Sequence, residues 1–322
     1  MKGAAALLAL LAVAVLLAWW FGPREPADTA HSFDPAVLGE DLDAWLAAQE
    51  GQVTALRPGA EKRIVWAGAA GEATPLSVVY LHGFSASAEE IRPVPDLVAE
   101  RLGANLYFAR LAGHGRDGPA MAEATVQDWV SDVAEAMAIG RRIGARVIVI
   151  GTSTGGTLAA HVPHDPALAE RVAGIAFVSP NFGINHPAAP LLTWPWARQW
   201  APALFGAERS FAPVNERHAL HWTTRYPSVA VLPMAALVGS AIGLDHRSAR
   251  IPAIFLYSEH DAVVSPAATG SVVARWGGTA AAHPFVMGRG DDPASHVIAG
   301  DILSPGQTER AVEVIVRWAE GL

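Results

Sequence analysis

The stretch Val147-Ile148-Val149-Ile150-Gly151-Thr152-Ser153-Thr154-Gly155-Gly156-Thr157-Leu158 decides how the rest of the chain is read. Four consecutive β-branched apolar residues suit a strand buried on both faces of a parallel sheet. The chain then turns through small residues into an apolar helical start. Gly151-x-Ser153-x-Gly155 has the spacing of a nucleophile elbow, a serine held on a tight strand-to-helix turn. Such a turn strains the backbone at the serine, and only hydrogen side chains at the flanking positions let strand and helix approach so closely. The Ser153 hydroxyl is expected above the sheet edge. The next N–H, that of Thr154, lies at a helix N-terminus and faces any developing oxyanion. An ordinary Gly/Ser loop would share these small residues, so the reading depends on partners elsewhere in the chain.

Working outward, strands are expected at residues 63–66, 76–81, 105–109, 147–150, 172–178, 253–257 and 282–287. Helices are expected at 34–49, from a Ser87–Glu90 capping box to about 102, and from a Thr125–Asp128 capping box to about 143. Two more are expected at 266–276 and 305–319, the last capped by Ser304 with Gln307 closing a second capping box. The alternation of strand and helix means an α/β fold, a mostly parallel, doubly wound sheet with helices on both faces. One interval breaks the rhythm. Residues 181–250 hold no clear strand but many Pro residues and aromatics, among them Trp194, Trp196, Trp200, Phe205, Phe211, Trp222 and Tyr226. A structureless loop of that length is improbable, so an inserted helical cap over the carboxyl ends of the strands is expected. Its aromatics either form an acyl-binding wall or membrane-facing lip, or pack the cap onto the core.

The chain has 322 residues, of which 51% are hydrophobic and 17% charged, enough for one large core. A net charge of −8 leaves no basic patch for phosphate contacts, so no nucleic-acid partner is expected. There is no Cys, which excludes disulfides, thiolate catalysis and Cys-based zinc sites. Residues 3–22 carry no charge, and about 20 apolar residues can span a bilayer core of ~30 Å. Lys2 flanks the run on one side, and Trp19, Trp20 and Phe21 form an aromatic belt at the other. The run is longer than a usual signal-peptide core and ends in bulky aromatics. It is therefore read as an uncleaved membrane anchor with the catalytic domain outside the cytoplasm; export after signal-peptide cleavage is the alternative. The chain then divides into the segment 1–22, a linker with a short helix at 23–61, and a domain at 62–322 with its cap at about 181–250.

A serine nucleophile needs a base, an orienting acid and an oxyanion hole. On a sheet of this kind the chain order is Ser, acid, His. Asp261 follows the 253–257 strand by a few residues and precedes a Pro-started helix, which places it on the rim. Glu259 is a weaker rival, Asp245 and Asp291 weaker still. His296 lies after the last strand and before the last helix, in a loop able to reach back over Ser153. The other eleven His residues fit worse. His218 and His221 could share a helix face but have no third ligand in view, so no metal is expected. The second oxyanion donor should come from Leu81-His82-Gly83-Phe84-Ser85, with the Phe84 N–H as donor and His82 hydrogen-bonded within the loop. Gly113-His114-Gly115 reads as scaffold.

Together these pieces resemble the α/β-hydrolase superfamily. The pattern is most similar to the monoglyceride lipase, lysophospholipase and carboxylesterase branch, often grouped with serine aminopeptidase-type hydrolases. The matching motifs are His82-Gly83-Phe84, Gly113-His114-Gly115, Gly151-Thr-Ser153-Thr-Gly155, Ser258-Glu-His-Asp261 with Val264-Ser-Pro266, and Ser295-His296-Val297, in order across residues 76–319. The resemblance implies an α/β-hydrolase fold, Ser153 as nucleophile, His296 as base, Asp261 as orienting acid, and Phe84 with Thr154 as oxyanion donors. It implies ester hydrolysis; with the aromatic cap, the leading expectation is a serine hydrolase of carboxylic esters with apolar acyl chains, acting on a small-molecule or lipid ester substrate without a cofactor. Thr154 departs from the Met or Gln that often follows the serine; the N–H role survives while the pocket wall changes. Amidase, peptidase or thioesterase action on the same triad remains an alternative, and a non-enzymatic binding module a further one. A dehalogenase is disfavoured, because its elbow nucleophile would be Asp.

Overall fold

In the computed structural model, which describes residues 2–322, the chain opens with α1 (Lys2–Phe21), α2 (Leu42–Glu50) and β1 (Arg63–Val65). There follow β2 (Thr74–Leu81), α3 (Val94–Leu102), β3 (Asn105–Phe108), α4 (Val126–Ile143), β4 (Gly144–Thr152), α5 (Thr154–Ala159), α6 (Pro166–Ala169) and β5 (Val172–Val178). An excursion then carries α7 (Ala197–Phe205), β6 (Glu208–Ser210), α8 (Glu216–His221), β7 (Arg225–Pro227) and α9 (Val231–Gly243). The chain closes with β8 (Ala253–Tyr257), α10 (Pro266–Arg275), β9 (Ala280–Pro284) and α11 (Thr308–Ala319).

Seven strands form one sheet in the order β1-β3-β2-β4-β5-β8-β9, parallel throughout except for the antiparallel edge strand β1. The expected strand β4 is central, and Val147, Ile148, Val149 and Ile150 are all fully buried. Helices cover both faces, as a doubly wound sheet requires. One face packs α3 and α11, with Val98, Ala99, Val312 and Ile315 in the same apolar cluster as Val78 and Ile150. The other packs α4 and α9, with Trp129, Val133, Met137 and Leu237 clustered on Val79 and Val149. Thr125 and Asp128 form the expected reciprocal capping box of α4.

Several local expectations are corrected. Ser87 and Glu90 do not cap a helix: α3 begins only at Val94, behind Pro93, and the Glu90 side chain turns back to the Gly83 N–H. Ser304 likewise makes no cap bond, because its hydroxyl donates to the Val297 carbonyl and accepts the Asp292 N–H; a 3-10 turn, Pro305–Gln307, precedes α11. The single helix expected over 34–49 is a short 3-10 turn, Pro35–Val37, and then α2, capped separately by Asp34 and Asp41. The last strand spans Ala280–Pro284, a little earlier than expected. Within the cap, β6 and β7 pair as an antiparallel ribbon that the sequence did not announce.

Helix α1 is long and apolar enough to cross a membrane, with a mean hydropathy of 2.5 over Gly3–Phe21, and its side chains stay accessible even where its end touches the cap. An anchor and a signal sequence share this property.

Candidate active site

The elbow is built as its residues require. Ser153 has φ 49° and ψ −114°, a region that side chains with a Cβ rarely occupy. It persists because its neighbours over-determine it. The Ser153 N–H donates to the Val178 carbonyl at 3.0 Å, and its own carbonyl accepts the Thr157 and Asn181 N–H groups at 3.0 and 3.1 Å. A Cβ on Gly155 would lie 2.1 Å from the Leu81 carbonyl oxygen, and one on Gly151 2.7 Å from the Gly155 oxygen. Both positions therefore exclude any side chain.

Three loops bring the expected partners to Ser153. His296 Nε2 stands 3.0 Å from Ser153 Oγ, and His296 Nδ1 stands 2.8 Å from Asp261 Oδ2. The second Asp261 oxygen accepts the N–H groups of Val263 at 2.8 Å and Val264 at 2.9 Å, which fixes the carboxylate. With Asp261 accepting, the imidazole proton belongs on Nδ1 and leaves Nε2 free to accept from the serine. Burial by itself would depress the His296 pKa. The charge and hydrogen bond of Asp261, helped by Glu90 and Asp292, outweigh burial and hold it above the usual value. The rivals are elsewhere: Glu259 is exposed, Asp245 holds the Arg247 N–H, and Asp291 accepts the Gly288 and Gly306 N–H groups.

The Gly83-Phe84 loop lies against Ser153: a Cβ on Gly83 would stand 3.1 Å from the Ser153 Cβ. Neither the Phe84 N–H nor the Thr154 N–H has an acceptor among the described residues. The Phe84 ring is wedged edge-on between His114, Trp129 and Tyr226, with centroid distances of 5.6, 6.2 and 5.5 Å. His82 stays within the scaffold, as expected: its Nδ1 donates to the Gly83 carbonyl and its Nε2 accepts the Leu111 N–H. Among the described residues no group of three or more His, Asp or Glu side chains is placed to hold a metal ion.

Two carboxylates beside the site were not singled out as site residues by sequence reasoning. Asp292 accepts the His296 and Val297 N–H groups at 3.0 and 2.9 Å and so shapes the loop that carries His296. An Asp four residues before the candidate base was the available signal. Glu90 is only 2% exposed and accepts the Gly83 N–H at 2.6 Å and the Tyr80 hydroxyl at 3.2 Å. Burial pushes its pKa up to about 7, against the opposing pull of the Gly83 N–H, His296 and Tyr80. Its signal was masked by the apparent capping box.

Ser153, Thr154 and His296 open into a cavity of about 610 Å³. Ile184, Leu192, Phe205, Phe211, Trp222 and Met234 give it an apolar wall, supplied largely by the cap. The expected aromatics thus divide: Phe205, Phe211, Trp222 and Tyr226 face the cavity, while Trp194 and Trp196 lie on the outer surface.

The sheet order, the strained elbow serine and the cap between β5 and β8 define an α/β hydrolase. The chain belongs to the family described as serine aminopeptidase, S33 (Hydrolase_4), whose model matches residues 73–283. A thermostable monoacylglycerol lipase of Bacillus sp. (strain H-257) is 31% identical over 115 residues, spanning 35% of this chain and 43% of that protein. Two solved structures share the fold. A metagenome-derived lipolytic enzyme of the LipS and LipT pair superposes with a TM-score of 0.68 at 22% identity, over 83% of this chain and all of that one. A soluble variant of the Saccharomyces cerevisiae monoglyceride lipase gives 0.60 at 11% identity, over 84% of this chain and 96% of that one.

Proposed function

We propose that this protein is a serine hydrolase that cleaves carboxylic esters of apolar acyl chains, of the lipase, esterase or monoacylglycerol lipase type. The observation that carries the reading is the line Asp261–His296–Ser153 opening into a cavity with an apolar wall. In this reading His296 Nε2 takes the Ser153 proton as the oxygen attacks the ester carbonyl. Asp261 holds the imidazole in the Nδ1–H tautomer and stabilises the imidazolium. The Phe84 and Thr154 N–H groups receive the oxyanion. His296 then protonates the departing alkoxide, and water, activated by the same imidazole, releases the acid from the acyl-enzyme. The lipolytic character of the Bacillus relative supports the choice of substrate class. Residues 62–322 act as the hydrolase domain with 181–250 as its cap. Segment 1–22 anchors it, and Lys2 on the amino-terminal flank favours a catalytic domain outside the cytoplasm.

A second reading, cleavage of an aminoacyl amide, draws on the family's aminopeptidase description. Such an enzyme needs a carboxylate to receive the substrate ammonium. The two carboxylates on the cavity wall, Glu90 and Asp292, are already held by backbone N–H groups. Labelling by a fluorophosphonate probe, lost in Ser153→Ala, together with rates on matched ester, thioester and aminoacyl-anilide substrates, tests both readings. Labelling retained in Ser153→Ala refutes the nucleophile; faster anilide than ester turnover refutes the ester assignment.

A further inference from the structure

The end of α1 does not hang free of the body; it is docked on the cap. The Trp19 ring packs edge-on against Trp194 with centroids 4.8 Å apart. The Trp196 N–H donates to the Pro23 carbonyl at 2.7 Å, and its indole N–H donates to the Ala18 carbonyl at 3.1 Å. Arg198 grips the buried Glu25 carboxylate through two bonds of 2.6 and 2.7 Å. The approach is close enough that a Cβ on Gly22 would lie 2.3 Å from the Trp196 indole nitrogen. Trp196 itself has φ 63°, an unusual conformation for so bulky a residue, and it is the residue these bonds hold.

The cap surface beside this junction is apolar. Residues 188–207 contain a single charged side chain, Arg198, and it is the one paired to Glu25. Trp194 is 43% exposed, Trp196 45% and Leu204 65%. Leu191, Trp194, Trp200, Ala203 and Leu204 line a shallow apolar groove. The neighbouring residues of the same segment, Ala188, Ala189, Leu192 and Phe205, reach the wall of the Ser153 cavity. A continuous apolar surface therefore runs from the membrane-length helix, across the outer cap, to the rim of the catalytic cavity. A free surface of this kind is costly in water and marks contact with a partner.

We propose that this partner is the lipid bilayer: α1 and cap residues 188–207 form one membrane-contacting surface, and the mouth of the Ser153 cavity opens onto it. The inference rests on reading α1 as an anchor, and it deepens the ester-hydrolase reading by naming the phase that delivers the substrate. Because the anchor is fixed to the cap at Gly22, Glu25 and Trp196, it sets the orientation of the cavity as well as its location. An apolar ester then passes from the leaflet into the cavity without crossing water. Aromatics at the helix end and beside it suit the headgroup level.

The absence of cysteine makes the test direct. The full chain carrying Leu204→Cys or, as a control at the far end of β2, Ala73→Cys is spin-labelled and reconstituted into phosphatidylcholine vesicles. Depth is read from collisions with oxygen and with a water-soluble nickel chelate. The expected result is a label at 204 reached by oxygen and shielded from nickel, with the label at 73 open to nickel. A 204 label open to nickel, or one shielded from both reagents as under a second protein chain, overturns the proposal. Arg198→Glu should slow hydrolysis of a monoacyl ester embedded in the vesicles at least five-fold and leave a short soluble ester unaffected. Adding Glu25→Arg should restore the rate, and equal effects on both substrates would also overturn it. A chain that fails to sediment with the vesicles removes the anchor and this inference, while turnover of the soluble ester still reports on the catalytic reading.

Discussion

The catalytic edge of the sheet and the cap above it are held together by opposite means. At the edge, nearly every polar group is placed by backbone. Ser153 is fixed by Val178, Thr157 and Asn181, Asp261 by Val263 and Val264, and the His296 loop by Asp292. A Cβ on Gly155 or Gly151 would lie 2.1 to 2.7 Å from a backbone oxygen, which leaves no room for a side chain at either position. The cap, by contrast, is built of short helices and a two-stranded ribbon, and within it Leu232 and Leu237 of α9 are fully buried. Its outer segment is tied to the end of α1 through Trp194, Trp196 and Arg198, and Asn215 and Thr223 tie the cap to the body through the Ile302 and Ser85 carbonyls. Under the proposed function, the contrast assigns the chemistry to a rigid frame that tolerates little change, and acyl preference and access to a surface that can vary without disturbing the frame.

The sharpest break of that contrast comes at the edge. Ser153→Ala should lower kcat/KM on a soluble nitrophenyl ester by ~10⁴–10⁶-fold with an unchanged melting curve, and Asp261→Asn by about 10³–10⁴-fold. In Asp261→Asn the His296 pKa loses its main raising influence, so the remaining activity should keep its acid limb to a lower pH than the parent. An acid limb that stays in place would mean that His296 is not the titrating base.

Glu90→Gln tests the frame more gently. The amide oxygen can still accept the Gly83 N–H, so kcat should fall by less than about ten-fold, in the range of a lost or weakened single contact. The pH dependence carries the diagnosis. The Glu90 charge contributes to raising the His296 pKa, so its removal should move the acid limb of kcat/KM to lower pH. Stability should change as well. A carboxyl pushed up to about 7 by burial favours the folded state below its ordinary value of 4.5 and loses that contribution as pH rises through 7. The glutamine variant should therefore be more stable than the parent above pH 7, by an unfolding free energy on the order of 1–3 kcal/mol, and lose the advantage near pH 4.5. Equal melting at both pH values would show that Glu90 carries no buried charge.

The smallest effect is expected in the cap. Phe205→Ala removes part of the cavity wall and should raise KM for a long-chain ester by about three- to ten-fold, the cost of roughly 1 kcal/mol of apolar contact, while an acetyl ester changes by less than about two-fold. A uniform change across chain lengths would place the acyl chain away from the cap.

Much of this was legible in the chain, and the reason is locality. Val147 to Gly156 spell strand, turn and helix in a local pattern of β-branched residues and spaced glycines, and Thr125 with Asp128 does the same for the start of α4. The order of Ser153, Asp261 and His296 along alternating strands was enough to place all three at one edge, because parallel strands bring their carboxyl ends together. Tertiary structure decided what local pattern could not. Ser87–Glu90 and Ser304–Gln307 read as capping boxes, yet Glu90 serves Gly83 and Ser304 serves Val297 and Asp292. A buried donor must find an acceptor wherever the fold provides one, and that demand overrides a marginal local cap. The docking of Gly22, Glu25 and Trp196 joins residues more than 170 positions apart, a separation no local periodicity encodes. By itself the sequence determined the frame and that Ser153, Asp261 and His296 meet at its edge, through local pattern and chain order. Only the folded chain decided which carboxylates stand behind them and which way the cap faces, because those depend on long-range satisfaction of buried polar and apolar surface.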